Sequence, residues 1–271
     1  MRIFLTGASG FVGKNLVEYY KNDEIFRFKR GMDVKSALKS FVPDVIINCA
    51  AEIYDIEKMF IPNVEMVYNC LEYARNDHCR MVQIGSSSEY GPTNHVSNEQ
   101  TLLKPVDGYQ ATKGAATLLC QGWAKACDLE VYVARPYSIY GPYERPHRLF
   151  PALYRAFVKN QPMILYQGYH DFIYIDDFIR GINMLVNHNN LSPGEVFNFG
   201  SGIMTSNFEL INLFEKITNK KAPITIKNNM SKKFESKIWF ADMNYSHMQL
   251  GFYNEFNLET GISKFLDMAD Y

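Results

Sequence analysis

The chain has 271 residues, 47% of them hydrophobic, which is enough to bury a large core as one domain or as a large and a small lobe. Charged residues make up 21% of the chain and the formal net charge is -1, so the sequence carries no electrostatic signature of a nucleic-acid partner or of an acidic membrane surface. No apolar run reaches about 18 residues, so we expect no membrane-spanning helix.

The N-terminus and the cysteines predict a cytoplasmic protein. Met1 leads directly into the first predicted strand, which leaves no room for a signal peptide. The five cysteines are odd in number and lack metal-ligand spacing, which is typical of reduced thiols in the cytoplasm. The six histidines show no paired ligand pattern either, so the sequence predicts no metal site.

The first motif lies in a turn between a predicted strand, residues 2–5, and a predicted helix. Gly7, Gly10 and Gly13 follow a Gly-x-x-Gly-x-x-Gly spacing there. Such a turn lets the backbone approach a pyrophosphate closely and directs the free N–H groups of a helix N-terminus at its charge. The pattern therefore predicts a dinucleotide site that includes Gly7, Ser9, Gly10, Phe11, Val12 and Gly13.

The second predicted strand, residues 25–30, ends in two cations. In nucleotide-binding sheets the end of this strand lies beside the adenosine ribose, where an acidic residue binds the 2′-hydroxyl and an arginine accepts a 2′-phosphate. Arg30 stands near that position and favours NADP, with NAD as the alternative, although an ordinary solvated arginine fits the sequence equally well.

A near-continuous apolar strand begins at Val45, as expected for a parallel strand that is covered on both faces. The small residues Ala50 and Ala51 follow it and would let the chain pass close to the cofactor. We therefore place Cys49, Ala50 and Ala51 among the cofactor contacts.

Strands and helices alternate regularly up to about residue 145. This alternation predicts right-handed crossovers and an α/β fold, a Rossmann-type doubly wound parallel sheet with helices on both sides. After residue 146 the alternation of strands and helices is less regular, and the sequence contains no linker, repeat or low-complexity tract. We interpret residues 1–145 as mainly the NAD(P)-binding domain and residues 146–271 as mainly a smaller substrate-binding lobe interleaved with it.

Tyr109 and Lys113 lie four residues apart near a predicted helix start, so they share one face of that helix. A phenol has an ordinary pKa near 10, and a neighbouring ammonium lowers that pKa because it favours the phenolate. A lowering by about two or three units would make Tyr109 a general acid/base near neutral pH. Tyr-x-x-x-Lys alone is common by chance, so the motif gains weight only from its context.

That context resembles the extended short-chain dehydrogenase/reductase superfamily and, within it, the NAD-dependent epimerase/dehydratase family that acts on nucleotide sugars. The order and spacing of the glycine-rich turn, a strand that ends in a serine cluster and Tyr-x-x-x-Lys carry the resemblance. Further landmarks match over essentially the whole chain: residues 43–51, 86–91, 109–113, 135–142, 171–177 and 250–252.

The resemblance implies roles for individual residues. Ser86 would be the catalytic hydroxyl that binds the sugar oxygen, Tyr109 would move that oxygen's proton, and Lys113 would hold the nicotinamide ribose and lower the pKa of the tyrosine. The loop after residue 135 would flank the nicotinamide through Pro136 and Ser138, and Asp33 with Val34 would flank the adenine. The expected substrate contacts are Ser87, Ser88, Tyr137, Arg145, Arg148 and His170. Family members commonly form a homodimer through the helix that holds Tyr109.

Departures from the family pattern bear on the reaction. Sugar 4,6-dehydratases place acidic residues directly after the catalytic hydroxyl, where this chain has Ser87 and Ser88, and Glu89 comes one residue late. Dehydration is thus disfavoured. Family members often carry an arginine that grips the nucleotide diphosphate at the position of His170, and imidazole does not replace a bidentate guanidinium without loss. Arg145 or Arg148 would take over, and Lys232 and Lys233 are weaker candidates.

The sequence therefore favours reduction of a 4-keto(-6-deoxy) nucleotide sugar slightly over 4-epimerisation with tightly bound NAD. Two further hypotheses stay open. One is a non-catalytic Rossmann protein that senses NADP, which predicts a degraded Ser-Tyr-Lys set. The other is a reductase of a different carbonyl compound, which predicts a more apolar pocket without phosphate ligands.

Overall fold

A computed structural model describes residues 1–227 and 238–269. Its strands are β1 Arg2–Thr6, β2 Glu24–Arg27, β3 Val45–Asn48, β4 Arg80–Ile84, β5 Val131–Pro136, β6 Ser138–Tyr140, β7 Met163–Tyr166, β8 Tyr169–His170, β9 Phe172–Tyr174, β10 Val196–Phe199, β11 Thr205–Ser206 and β12 Ile224–Lys227. Its α-helices are α1 Phe11–Tyr19, α2 Val34–Phe41, α3 Met66–Asp77, α4 Gly108–Cys127, α5 Leu149–Val158, α6 Ile175–Asn187, α7 Asn207–Thr218, α8 Asn244–Leu250 and α9 Leu258–Met268.

The central sheet has six strands in the order β10-β5-β4-β3-β1-β2, and every pair is parallel. The strand order reverses between β1 and β3. In a doubly wound sheet, a ligand binds in the crevice at the carboxyl ends of the strands that flank such a reversal. The fold therefore places the candidate site where the turn after β1 meets the chain that leaves β3.

Helices cover both faces of this sheet, which is why its central strands are apolar on both sides. Successive residues of β1 illustrate the arrangement: Ile3 and Leu5 pack in one buried cluster with Phe178 of α6, whereas Phe4 packs in the other with Leu38 of α2. The predicted α/β doubly wound parallel sheet is confirmed.

The second half of the chain contributes to the same sheet. Strand β10 pairs with β5 and forms one edge, and three two-stranded pairs, β11-β8, β12-β7 and β6-β9, lie outside the sheet. The pairing of β10 with β5 joins the second half of the chain to the strands of the first. The division of function at residue 145 stays a prediction.

Among the residues that the structure describes, no helix is both long and apolar enough to span a membrane. Within the same residues, no three His, Cys, Asp or Glu side chains come together as a metal site.

Candidate functional site

The turn after β1 is built for close backbone approach. Gly7 has a backbone φ of +64°, and a Cβ on it would lie 2.7 Å from the carbonyl carbon of Cys49. A Cβ on Gly13 would collide with the carbonyl oxygen of Gly7. Gly10 is the N-cap of α1 and offers no side-chain cap, and the first helical hydrogen bond runs from the Lys14 N–H to the Gly10 carbonyl at 2.9 Å. The N–H groups of this first turn therefore suit a phosphate, and the turn fits a dinucleotide diphosphate.

The rest of the predicted turn lies at the same place. Ser9 is exposed, whereas Phe11 and Val12 are half-buried against the core. Half-buried Ala50 and Ala51 leave β3 beside Gly7, and the Ala50 N–H donates to the Thr6 hydroxyl at 3.0 Å. The structure thus brings the two predicted cofactor segments together at the strand reversal.

Arg30, Asp33 and Val34, which the sequence places near the adenosine, differ in exposure and in the contacts they make. The Arg30 side chain is 83% exposed, and its guanidinium lies 3.8 Å from the Glu52 carboxylate. Asp33 is the N-cap of α2 and accepts from the Ser36 N–H at 2.8 Å. Val34 is the first residue of α2, and its side chain is buried. Asp33 and Val34 therefore have structural roles of their own, and their contact with adenine stays a prediction.

The predicted catalytic residues meet at the carboxyl end of β4. Ser86 is the N-cap of a short 3-10 helix, Ser87–Tyr90, and its hydroxyl lies 2.5 Å from the Ser88 hydroxyl. The Ser86 side chain is also hydrogen-bonded to the Tyr109 phenol. Tyr109 occupies the first turn of α4, which Asp107 caps by accepting from the Gln110 N–H at 2.8 Å.

Lys113 lies one turn further along α4 and is buried, and its ammonium donates to the Ile84 carbonyl at the end of β4. Burial lowers the pKa of Lys113, and the Glu89 carboxylate opposes that effect. Burial also raises the pKa of Tyr109, while the Ser86 hydrogen bond and the Arg148 charge act against the rise. The pKa of Tyr109 is therefore raised above its ordinary value and not lowered as the sequence predicts, because desolvation outweighs the hydrogen bond and the neighbouring charges. A lowering contribution from Lys113 stays a prediction.

Sequence reasoning assigned no role to Glu89, which the structure buries completely. One oxygen accepts from the Ser86 N–H at 2.7 Å, and the other accepts from the Thr117 hydroxyl at 2.7 Å. The same carboxylate forms an ion pair with the buried Arg135 at 3.0 Å. Ser86, Glu89, Tyr109 and Lys113 lie together at the carboxyl end of β4, and we call these four residues the catalytic floor. The capping spacing of Ser86 and Glu89 is the sequence signal that could have located it.

A second group, residues 143–148, lies in the loop after β6, and we call this segment the rim. Arg148 lies 3.5 Å from Glu144, and its charge reaches Tyr109. Glu144 is 6% exposed, and its Oε2 atom is buried without a hydrogen-bond partner. Burial raises the pKa of Glu144 to about 8, although Arg148 opposes the rise.

The other rim residues face the segment after β3. The Arg145 guanidinium lies over the Tyr54 ring at 5.4 Å, and the Tyr54 hydroxyl lies 2.8 Å from His147 Nε2. Arg145 and His147 are both exposed. Arg145 and Arg148 stay predicted substrate contacts. The sequence carries no signal for Glu144, since nothing in it distinguishes a buried glutamate from a solvated one.

The remaining predicted contacts lie around β6 and β8. The Ser138 hydroxyl lies 3.4 Å from His170 Nδ1, and the His170 ring packs on Phe172. Pro136 is buried at the end of β5. Tyr137 is also buried, with its ring against Trp239, so a substrate contact through its side chain stays a prediction.

His170 and Ser138 therefore lie together, as expected, whereas the structure assigns Tyr137 to the core. Ser87, another expected substrate contact, is buried, and Ser88 is half-buried beside Ser86. Lys232 and Lys233 lie outside the described residues.

Comparison with known families gives a match over most of the chain. The model of the NAD dependent epimerase/dehydratase family matches residues 3–200. The chain is 24% identical over 307 residues to a protein of Bacillus subtilis named as an uncharacterized UDP-glucose epimerase, YtcB, with 97% of this chain and 96% of that protein covered. It is 23% identical over 328 residues to the dTDP-glucose 4,6-dehydratase of Haemophilus influenzae, with 97% and 96% covered.

Solved structures share the fold over nearly the whole chain. MoeE5 in complex with UDP-glucuronic acid and NAD superposes with a TM-score of 0.88 at 23% identity, covering 99% of this chain and 98% of that one. UDP-glucose 4-epimerase from Thermotoga maritima, with UDP-glucose, has a TM-score of 0.88 at 17% identity and the same coverage. RMD from Pseudomonas aeruginosa, complexed with NADPH, has a TM-score of 0.83 at 22% identity and covers 98% of each chain.

Proposed function

Because the chain belongs to the NAD-dependent epimerase/dehydratase family, we propose that it is an NAD(P)-dependent oxidoreductase that reduces the 4-keto group of a nucleotide-linked 4-keto(-6-deoxy) sugar. The observation that carries the proposal is the state of Tyr109. Its pKa is raised by burial and its phenol is hydrogen-bonded to Ser86, so the phenol keeps its proton at neutral pH. A protonated tyrosine suits a reaction that must deliver a proton to a carbonyl oxygen.

In the proposed reaction, Ser86 and Tyr109 bind the sugar carbonyl oxygen, and their hydrogen bonds strengthen as negative charge develops on it. When bound, a reduced nicotinamide supplies a hydride to the carbonyl carbon. Tyr109 gives its proton to the oxygen, and the product is the hydroxyl of the reduced sugar. The buried ammonium of Lys113 stabilises the phenolate that remains, because opposite charges attract strongly where water is excluded.

The dinucleotide would be held by the turn at Gly7, Gly10 and Gly13 and by the chain after β3. NADP is our first choice on the strength of Arg30, because an arginine at the end of the second strand can accept a 2′-phosphate. The neighbours named above include one complexed with NADPH and one with NAD, which is compatible with either choice. The Glu52 carboxylate beside Arg30 argues for NAD, because it repels a phosphate.

The substrate would lie between the floor and the rim. Arg148 and Arg145 present exposed guanidinium groups that suit a nucleotide diphosphate, and His170 would add a hydrogen bond from β8. Ser87, Ser88 and Tyr137 stay proposed substrate contacts from family resemblance, with Ser88 supported by its position beside Ser86.

The second candidate reaction is 4-epimerisation with tightly bound NAD, which the names of the B. subtilis and T. maritima proteins favour. Dehydration is less favoured, although several relatives are named as 4,6-dehydratases. The nearest carboxylate to the catalytic serine, Glu89, is engaged by Arg135 and the Ser86 N–H. It is therefore unavailable to remove a proton from a sugar.

We also propose a homodimer through α3 and α4. Leu118 is 60% exposed on α4, and Tyr68 of α3 and the preceding Phe60 and Ile61 are exposed apolar residues as well. Paired copies of these two helices would bury the group. Leu118→Lys should shift the mass measured by light scattering from dimer to monomer. Met248→Lys, a change at an exposed position of α8, should not.

Mass spectrometry of the gently denatured protein, followed by a turnover assay, tests the function. Exchangeable NADPH and reduction of a 4-keto nucleotide sugar would support the reductase, whereas co-purified NAD and interconversion of 4-epimers would support the epimerase. Binding of a dinucleotide without turnover of any nucleotide sugar would overturn both and favour a sensor.

A further inference from the structure

The buried polar network behind the floor connects the end of β4 and helix α4, which carry the floor residues, with the neighbouring strand β5. Glu89 accepts from the Ser86 N–H at the end of β4 and from Thr117 on α4. Thr117 lies one turn after Lys113 on the same helix face. Arg135, in β5, closes the group with a hydrogen bond from Nε to Glu89 at 3.1 Å.

Arg135 is itself fixed from the other side. One of its terminal nitrogens donates to the Tyr90 hydroxyl at 2.8 Å, and its guanidinium lies 4.6 Å from the centre of the Tyr90 ring. The Tyr90 hydroxyl donates to Asn198 of β10 at 2.8 Å, and the Asn198 N–H donates to Glu99 at 2.8 Å. The Glu89–Arg135 pair is thus held on several sides by hydrogen bonds.

We propose that Glu89, held by Arg135, is the positioning residue of the catalytic floor: it orients Ser86 and the Lys113 face of α4 toward one another. The inference rests on the proposed function. Glu89 does not touch the reacting atoms, since its carboxylate is fully buried and engaged by Ser86, Thr117 and Arg135. It acts through the backbone of Ser86 and through its charge.

The charge has a definite direction of effect. The Glu89 carboxylate raises the pKa of Tyr109 and opposes the fall in the pKa of Lys113. It therefore favours the neutral phenol and the charged ammonium, the two protonation states that reduction needs at its start. A buried ion pair contributes little net stability compared with an apolar pair, so a role in orientation gives a reason for its presence.

The first test is Glu89→Gln, which keeps the shape of the side chain and removes the charge. We expect kcat to fall about 10- to 100-fold while the KM for the nucleotide sugar changes less than about threefold, in line with a loss felt in the transition state. The alkaline limb of the pH–rate profile should move to lower pH, because the pKa of Tyr109 falls. A kcat and an alkaline limb equal to those of the wild type would overturn the inference.

Three matched variants separate charge from packing. Thr117→Val removes one hydrogen bond to the same carboxylate and should leave the alkaline limb in place. Glu89→Asp keeps the charge but shortens the reach, so it should retain the wild-type limb with a reduced kcat. Glu259→Gln, in an exposed ion pair with Lys216 at 2.8 Å, should leave both quantities unchanged. If the alkaline limb of the pH–rate profile shifts as far in Thr117→Val as in Glu89→Gln, the role of the Glu89 charge is contradicted.

Removal of one partner from a buried ion pair destabilises the fold, so Glu89→Gln risks failing to fold. The double variant Glu89→Met with Arg135→Met replaces the pair with apolar side chains of similar size, which is often tolerated. It should fold and show the same reduced kcat. Wild-type kcat in this variant would overturn the inference.

A readout without substrate distinguishes this inference from the proposed function. In protein labelled with 13C at the tyrosine ring, the Tyr109 signal, assigned by its loss in Tyr109→Phe, reports the phenol titration directly. A lower pKa for Tyr109 in Glu89→Gln supports the inference even if no nucleotide sugar is reduced, whereas an unchanged titration in an active enzyme overturns the inference alone.

Discussion

The catalytic floor and the rim differ in how far the protein satisfies their polar side chains. In the floor, Ser86, Glu89 and Lys113 each have a polar partner in the protein, and the elements that carry them leave or flank the central sheet. In the rim, Arg145 and Arg148 are exposed and Glu144 has a buried oxygen without a partner. The difference indicates that the fold itself satisfies the polar groups of the floor, whereas the rim presents charged groups that the protein leaves largely unsatisfied.

Tyr109→Phe is the change that most sharply tests the floor. We expect turnover to fall between about 10² and 10⁴-fold, because the variant loses its general acid, while dinucleotide affinity stays within about twofold of wild type. Stopped-flow turnover and fluorescence titration with NADPH measure the two quantities. Undiminished turnover would remove Tyr109 from its role.

Gly13→Ala tests the glycine turn after β1, whose backbone conformation, like the hydrogen bonds of the floor, is set by the fold. The added Cβ would collide with the Gly7 carbonyl oxygen, so the turn must change conformation. Its backbone N–H groups would then no longer point at the dinucleotide diphosphate. We expect dinucleotide affinity to fall about 100-fold, or about 3 kcal/mol. Gly122→Ala in α4 is the control, because nothing lies within 4 Å of its added Cβ and it should bind normally. Equal affinities of the two variants would contradict the dinucleotide turn.

Glu144→Gln tests whether the buried rim carboxyl Glu144 makes the free energy of unfolding depend on pH. Because the folded chain raises the pKa of Glu144 from 4.5 to about 8, it holds that proton more tightly than the unfolded chain does. The free energy of unfolding should therefore fall as pH rises through this window, by about 3 kcal/mol at pH 7. Glu144→Gln should be more stable than wild type at pH 7 and no more stable at pH 4. Urea titrations at the two pH values measure this, and equal differences at both would refute the assignment.

Arg148→Ala tests binding at the rim. Charge-assisted hydrogen bonds to a diphosphate contribute about 1.5–3 kcal/mol each, so we expect the KM for the nucleotide sugar to rise about tenfold or more. Lys216→Ala, which removes an exposed cation on α7, is the control and should leave KM unchanged. A rise in KM confined to Lys216→Ala, or found in neither, would exclude a diphosphate contact at Arg148.

Arg30→Ala has the smallest expected effect, because the side chain is largely exposed and pairs with Glu52. If Arg30 binds a 2′-phosphate, the KM for NADPH should rise a few-fold and that for NADH should not. Steady-state kinetics with both cofactors measure the ratio. Equal changes for the two cofactors would rule out a selective role.

Part of the candidate site could be predicted because its signals are local. The glycine spacing and the Tyr109–Lys113 spacing are short-range patterns, and the alternation of strands and helices is read along the chain. The burial of Glu89 could not be predicted, because its partner Arg135 lies in β5, which comes beside β4 only in the folded sheet. Glu144 and Arg148 are only four residues apart, but their spacing does not show that packing buries the carboxylate and leaves the guanidinium exposed.

The sequence by itself thus determined the α/β fold, because the alternation of strands and helices is read along the chain. It also predicts a dinucleotide turn from glycine spacing and, through family resemblance, the set Ser86, Tyr109 and Lys113. Only the tertiary structure decided the electrostatics. Lys113 donates to the Ile84 carbonyl, and burial raises the pKa of Tyr109. The physical reason is that desolvation depends on every group packed around a site, and spacing along one helix reports only two of them.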